Sequence, residues 1–337
     1  MSVNAMASES SDVLIEIRDL VIGIQRTRKD RLLIVDSANF DIRRAEILGL
    51  VGESGSGKTM VCRSLIGTLR RRSASIFAGT IKFDGMDLAK LEEKQWRAVR
   101  GNRIGYVPQS ALTGANPVMT VGKQLGEAIR RNRKRKEKDV RKRVMELLDL
   151  VHIRRPEIVY DQHPFQLSGG MRQRVMIAIA IACNPKLLFA DEPTTALDVT
   201  VQAQILQLLR ELREDLKMSM VLVTHDLGVV AGNTDYVAVM YAGEVVEYAP
   251  TKKLFADMRM PYTEALLESI PKVDHKSGTR LAMIAGRLPD PTDRGAGCSF
   301  APRCKYAQEK CRQEHPELKK DPDGHLYRCW FPIGEAK

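Results

Sequence analysis

The sequence predicts an α/β protein built on a mostly parallel sheet, with its ligands gathered at the carboxyl edge of the strands. Three observations predict it. The first is residues 52–59, reading G-E-S-G-S-G-K-T, set between the apolar run 47–51 and a helix expected over 60–69. Strand, glycine-rich loop and helix in that order form a phosphate-binding loop. The second is the alternation of short apolar strands with helical stretches further on, which indicates parallel strands joined by crossover helices. The third is 187–192, an apolar strand that delivers two carboxylates, Asp191 and Glu192, at its end.

Taken in order, residues 13–24 alternate as one or two edge strands, and 40–42 continue the β region before the strand at 47–51. In the loop that follows, Gly52, Gly55 and Gly57 let the backbone curl around Ser54 and Ser56 until its N–H groups point at one anion. The helix start adds the positive end of its dipole. Lys58 brings a mobile charge and Thr59 a hydroxyl suited to Mg²⁺. The loop therefore predicts a bound nucleoside triphosphate. Residues 79–84 read as a strand turned by Asp84-Gly85, 87–99 as a helix, and 103–107 as a strand ending at Pro108-Gln109.

Residues 118–150 are expected to be helix-rich, and 130–143 hold ten Lys or Arg against Glu137 and Asp139. Such a run is either a solvated helical face or a surface for anionic headgroups. Ser168-Gly169-Gly170 opens a helix over 172–183, followed by a buried strand at 186–190 and an amphipathic helix at 199–216. A strand at 220–224 delivers His225-Asp226, and 236–241 with 244–247 form a hairpin closed by Ala242-Gly243. After Pro250 the composition shifts to a short helix at 262–270, a Pro/Gly-rich linker at 286–297 and a segment with four of the six cysteines.

With 337 residues, 28% charged and 44% hydrophobic, the chain is a globular protein able to bury a sizeable core. No stretch approaches the ~18 apolar residues of a membrane span. Residues 1–12 are polar, which predicts no secretory signal. The net charge of +11 suits an acidic partner such as nucleic acid, a membrane surface or a polyphosphate, without choosing among them.

The chemistry gathers at strand ends. Asp191 is placed to hold Mg²⁺ and Glu192 to deprotonate an attacking water. His225 is placed to contact a γ-phosphate, and Gln109 to sense the metal or the water. Ser168-Gly169-Gly170 is a second anion-binding helix start, although the chain already has one for its own nucleotide. Two such ends in one domain make sense when two copies meet head to tail, each closing over the other's phosphate.

Through residues 52–59, Gln109, 167–171 with Arg172-Gln173-Arg174, Asp191-Glu192, Ala196-Leu197-Asp198 and His225, the chain resembles the ATPase subunits of ATP-binding cassette (ABC) transporters. The resemblance implies a P-loop NTPase fold over 13–250, with a mostly parallel sheet, an antiparallel β subdomain and a helical subdomain at about 110–185. The remainder, 251–337, would be a small Cys-rich C-terminal extension. It implies ATP and Mg²⁺ as cofactors, closure of a dimer by ATP, Asp198 at the dimer seam, and a membrane subunit's coupling helix docked after Gln109. Residues 116–122, 261–267 and the cysteine segment narrow the resemblance to importers of dipeptides and oligopeptides. Nickel, opine and some sugar importers share that architecture. The implied partners are a second homologous ATPase, two transmembrane permease subunits and a periplasmic or extracellular substrate-binding protein, at the cytoplasmic face of the inner membrane. The alternative is a soluble ATPase of the same family acting on nucleic acid or ribosomes; such proteins carry two cassettes or coiled-coil insertions, and neither is visible here. Two departures stand out: Ile24 occupies the place of an adenine-stacking aromatic, with Arg26 or Arg28 as substitutes, and 110–115 lacks the family's acidic character.

Cys298, Cys304, Cys311 and Cys329 are separated by five, six and seventeen residues. Metal explains four such thiols better than disulfides when no export signal is present. The spacing lacks the close pairs of structural zinc sites. A [4Fe–4S] cluster tolerates it, and the resembling importers can carry one in this tail. Zn²⁺, with His315 or His325 replacing a thiolate, and free thiols remain the alternatives. Cys62 and Cys183 read as small buried hydrophobes on helices.

Overall fold

The computed structural model describes residues 12–27, 30–69, 74–132, 137–270, 284–292 and 295–334. The chain begins with three elements of sheet, β1 (Val13–Gln25), β2 (Arg31–Arg43) and β3 (Ile47–Val51), before helix α1 (Lys58–Leu65) and β4 (Ser75–Phe83). Helix α2 (Glu93–Val99) and β5 (Ile104–Val107) lead into α3 (Val121–Asn132), α4 (Glu137–Leu150) and α5 (Gly169–Ile181). Then come β6 (Leu187–Asp191), α6 (Val199–Leu216), β7 (Ser219–Thr224), α7 (Leu227–Ala231), β8 (Tyr236–Tyr241) and β9 (Glu244–Pro250). Helix α8 (Pro261–Glu268) and two short strands, β10 (Lys319–Lys320) and β11 (Leu326–Tyr327), close the order. The chain divides into two compact units, one of Met1–Ala89 with Thr224–Lys337 and one of Lys90–Val223.

In the first unit β1 pairs antiparallel with both β2 and β4, so that Ile17 faces Phe40 on one side and Ile81 on the other. All three side chains are buried. Strand β2 is far longer than the expected 40–42. The polar stretch from Asp36 to Asn39 hides its continuity: Ser37 takes a left-handed backbone (φ 48), the ladder shifts register there, and Asn39 Nδ2 donates to Asp19 Oδ1. A bulge of this kind interrupts the alternation by which a strand is read. Strand β3 runs parallel beside β8, with Leu50 opposite Ala238. The expected hairpin of β8 and β9 forms across Ala242 (φ 48) and Gly243 (φ 88), the two left-handed residues that a tight hairpin turn requires.

The described residues of the tail join the core of the first unit. Strand β11 adds to β9, with Tyr327 opposite Glu247. Val51 of β3, Tyr241 of β8, Tyr262 of α8, Phe300 and Cys329 belong to one continuous apolar cluster. Tyr241, Tyr262 and Phe300 meet ring to ring at 4.5–5.3 Å. Burial of one such aromatic is worth about 2–3 kcal/mol, so this trio carries much of the tail's attachment.

In the second unit β5, β6 and β7 are parallel, Tyr106 lying opposite Phe189 and Phe189 opposite Val221. Every residue of β6 and β7 is buried, the pattern of strands covered on both faces. Gly105 lets α5 close on β5, since a Cβ there would lie 2.4 Å from the Ala180 carbonyl oxygen. The expected helix over 87–99 is broken. Asp87 Oδ1 accepts from the Ala89 N–H, a 3₁₀ turn covers Leu88–Lys90, and a reciprocal cap between Glu92 and Gln95 starts α2 afresh. Likewise α1 ends earlier than expected, before Gly67 (φ 65). Three cations of the basic run are engaged locally: Arg130 pairs with Glu137, Arg141 lies over the Tyr160 ring at 4.5 Å, and Arg143 donates to Asn184 Oδ1 at 2.7 Å. Residues 133–136 of that run lie outside the described residues. Among the described residues no helix is long and apolar enough to cross a membrane.

Candidate functional site

The phosphate loop is cut to shape by its glycines. At Gly52 (φ 155) a Cβ would lie 2.1 Å from the Met240 carbonyl oxygen, so only glycine lets the loop pass over β8. Gly57 (φ 102) stands before α1 in a left-handed conformation, and no side chain caps the helix. Lys58 folds back over the loop, its Nζ donating to the carbonyl oxygens of Gly52 (2.6 Å) and Glu53 (2.9 Å). Its side chain and that of Ser56 are buried, whereas Ser54, Gly55 and Thr59 stand exposed at the rim. A buried ammonium resting on two carbonyls inside a ring of turned backbone is a cradle for a polyanion.

Glu53, which sequence reasoning passed over, ties this cradle to the tail. Its N–H donates to the Tyr262 hydroxyl at 2.9 Å, and its carboxylate takes both arms of Arg303 at 2.7 and 2.9 Å. No periodicity or motif joins positions 250 residues apart, so no sequence signal could have found the pair. In the same unit His225 sits exposed at the end of β7. The chain there is held on both sides, because the Asp226 N–H donates to Thr224 Oγ1 and Asp226 Oδ1 accepts from the Gly228 N–H.

In the second unit Asp191 is buried at the end of β6 and accepts a hydrogen bond from the Tyr106 hydroxyl at 3.1 Å. Glu192 follows with a left-handed backbone (φ 46). Its Oε2 accepts from Gln109 Nε2 and from Thr195 Oγ1, both at 2.9 Å. Gln109 and Glu192, 83 residues apart, are thereby brought together. Tyr106 and Thr195 are partners beyond the motif residues; the signal for Tyr106 is its place two residues before the Pro108-Gln109 turn, on a strand that ends at the site. Ser168 caps α5 through Oγ, which accepts from the Met171 N–H at 3.3 Å, and Asp198 caps α6 through Oδ1, which accepts from the Val201 N–H at 3.0 Å. The two helix starts lie together, since a Cβ on Gly170 would come within 2.8 Å of Val201 Cγ1.

The four tail cysteines line one small, almost wholly apolar cavity with Phe300 and Trp330. Burial pushes the Cys298 thiol up to about 11 and the Cys329 thiol up to about 12, and raises Cys304 as well, so these thiols hold their protons. Among the described residues no group of three or more His, Cys, Asp or Glu stands at metal-holding distance. His315 and His325 turn away from the expected role: they face Glu244 and Glu247, each at 2.8 Å, and neither lines this cavity. Cys62 and Cys183 are buried as small hydrophobes. Ile24 is half-buried and Arg26 exposed, while Arg28 lies outside the described residues.

Comparison with known proteins agrees with these features. Residues 35–195 match the family described as ABC transporter, and residues 246–311 match the oligopeptide/dipeptide transporter C-terminal region. The chain is 44% identical over 318 residues to the oligopeptide transport ATP-binding protein AppD of Bacillus subtilis, covering 94% of this chain and 96% of that one. It is 46% identical over 316 residues to a putative peptide import ATP-binding protein of Brucella abortus, covering 94% of each. Among solved structures, the dimeric ATP-binding cassette MJ0796 bound to ADP and Pi is similar with a TM-score of 0.62 at 26% identity, over 70% of this chain and 98% of that one. With the phosphate loop, the Gln109–Glu192 pair and matches that run nearly end to end, the chain belongs to the ABC transporter family as an ATP-hydrolysing, ATP-binding subunit.

Proposed function

We propose that this subunit powers the import of di- and oligopeptides through a membrane transporter. The observation that carries the reading is the oligopeptide/dipeptide C-terminal region at 246–311, joined in one chain to the ABC cassette. The partners are two transmembrane permease subunits, a substrate-binding protein outside the membrane and a second, homologous ATPase, which places the chain peripherally on the cytoplasmic face. In domain terms, 13–250 is the cassette, with a helical subdomain at about 110–185, and 251–337 is the extension.

In the working cycle Gly52, Ser54, Gly55, Ser56 and Gly57 wrap the triphosphate and Lys58 neutralises it. Thr59, Gln109 and Asp191 are the residues that would hold Mg²⁺, which when bound would supply positive charge to offset that of the phosphates. Glu192 takes the proton of the attacking water, held in place by its hydrogen bonds from Gln109 and Thr195. His225 contacts the γ-phosphate. The start of α5, Ser168-Gly169-Gly170, exposed at Ser168, serves the nucleotide of a partner chain in a head-to-tail dimer, with Asp198 at the seam. The dimeric state of the similar MJ0796 cassette supports the pairing of two cassettes.

The donor chemistry of the cysteine cavity is that of a soft metal group, since four thiols and, among the described residues, no carboxylate line it, but no three of them stand together at metal-holding distance here. Cys298, Cys304, Cys311 and Cys329 would hold a [4Fe–4S] cluster, or Zn²⁺ as the alternative. Such a group supplies a crosslink that fixes the tail.

Glu192→Gln keeps the hydrogen bond to Gln109 and removes the base. ATP turnover falls about 10²–10⁴-fold while Mg-ATP affinity stays as in the wild type; undiminished hydrolysis removes the assignment of the base. Purification from membranes tests the transporter reading. Recovery of permease subunits with a second ATPase supports it, and recovery of ribosomes or nucleic acid overturns it. The same preparation made anaerobically separates the metals, by the broad visible absorbance of iron–sulfur or by zinc in elemental analysis; neither signal removes the metal.

A further inference from the structure

The tail touches the phosphate loop at three points. Arg303 grips the Glu53 carboxylate with both arms, Tyr262 takes the Glu53 N–H, and Leu288 stands 3.4 Å from where a Gly55 Cβ would be. The Arg303 side chain is only 4% exposed, and its remaining donors reach the carbonyl oxygens of Ala285 (2.9 Å) and Ile284 (3.3 Å) and the Tyr241 hydroxyl (3.3 Å). The third polar group of Glu53, its carbonyl oxygen, accepts from Lys58 Nζ at 2.9 Å. One residue is thus held by the tail through its side chain and its N–H, and by the phosphate-binding lysine through its C=O.

We propose that Arg303 is a positioning residue for nucleotide binding, through which the tail holds the phosphate loop in its cradle shape and the state of the cysteine cavity sets nucleotide affinity. Arg303 directly precedes Cys304, which lines that cavity, and Phe300 packs on both the cavity and the Tyr241–Tyr262 pair. Anything that moves the cysteine segment moves the guanidinium, and with it the carbonyl on which Lys58 rests. By linkage the effect is reciprocal: nucleotide in the loop steadies the cysteines by the same factor. The inference rests on reading residues 52–59 as the nucleotide site, and not on the identity of a metal.

The test is Mg-ATP binding and steady-state hydrolysis by the full chain carrying Glu53→Gln, Tyr262→Phe or Arg303→Ala. Glu53→Gln and Tyr262→Phe leave the aromatic core in place, so they report even where Arg303→Ala fails to fold. Glu53→Gln and Arg303→Ala are expected to weaken Mg-ATP binding and raise KM about tenfold with kcat within about twofold, as for loss of a charge-assisted pair that orders the loop, and Tyr262→Phe, which removes a neutral hydrogen bond, to do so about threefold. Where the protein folds, Glu53→Gln combined with Arg303→Ala is no worse than the poorer single variant. In the wild type, Mg-ATP slows maleimide modification of Cys298 and Cys304, mapped by mass spectrometry, and in Glu53→Gln this protection is lost. Wild-type affinity in both Glu53→Gln and Tyr262→Phe overturns the positioning role, and a thiol rate blind to Mg-ATP in the wild type overturns the link to the cavity. A wild-type chain that fails to bind Mg-ATP removes the nucleotide-site reading itself, a separate result.

Discussion

Two helices of this chain start at glycines, and they are built in opposite ways. Before α1 the backbone is left-handed at Gly57, no side chain caps the helix, and Lys58 is buried against the loop's own carbonyls. Before α5, Ser168 is exposed and spends its hydroxyl oxygen on the Met171 N–H. The first start is a concave cradle, organised in advance and braced from the tail. The second satisfies one of its own N–H groups and presents Ser168 outward, with Gly169 and Gly170 half-buried behind it. A cradle can hold a polyanion alone, whereas an outward end acts on something brought to it. The difference teaches why one chain carries two anion-seeking helix starts without redundancy.

The largest effect that can break this contrast is expected at Lys58. Lys58→Ala removes a buried charge at the centre of the cradle, a loss of about 3–5 kcal/mol or a hundredfold and more in Mg-ATP affinity by calorimetry. Near-normal binding would mean that the loop's backbone suffices.

A smaller effect is expected at the other end of β3, where the chain buries a charge with poorer support. Burial, reinforced by Asp235, raises Glu46 from its ordinary 4.5 to about 7, and its Oε1 has no hydrogen-bond partner. The folded state therefore binds more protons than the unfolded state between pH 4.5 and 7, and stability falls as pH rises through that window. Glu46→Gln is expected to raise stability at pH 8 by about 1–2 kcal/mol, allowing for partial solvent screening, and to change little at pH 4.5. Thermal unfolding at the two pH values checks it; equal shifts at both would show that charge is not the cause.

The smallest effect sharpens the contrast from the second helix. Ser168→Ala removes one cap and costs about 1 kcal/mol in thermal unfolding. It leaves the single chain's Mg-ATP affinity unchanged and lowers turnover in the assembled transporter. A loss of affinity in the isolated chain would mean that the α5 start serves its own nucleotide.

What could be read from sequence follows from how each feature is made. The glycine loop, Asp191-Glu192 and His225 are contiguous motifs, because a strand end and the turn after it must supply adjacent groups to one ligand. The hairpin of β8 and β9 was equally plain from Ala242-Gly243. Strand β2 reads short in the sequence because its bulge at Ser37 is polar, and the helix over 87–99 reads as continuous because its restart depends on side-chain caps at Glu92 and Gln95. The hydrogen bond from Gln109 to Glu192 and the grip of Arg303 on Glu53 are contacts between distant segments, which only the packed chain brings together.

The left-handed backbone at Glu192 has an evolutionary consequence. A non-glycine residue held at φ 46 carries strain of about 1–2 kcal/mol that glycine there would release. Selection for thermal tolerance alone, with activity unscreened, would therefore drift toward Glu192→Gly and enrich sturdier subunits that no longer turn over ATP. Persistence of the carboxylate through many rounds of such selection would show that its hydrogen bonds from Gln109 and Thr195 outweigh the strain.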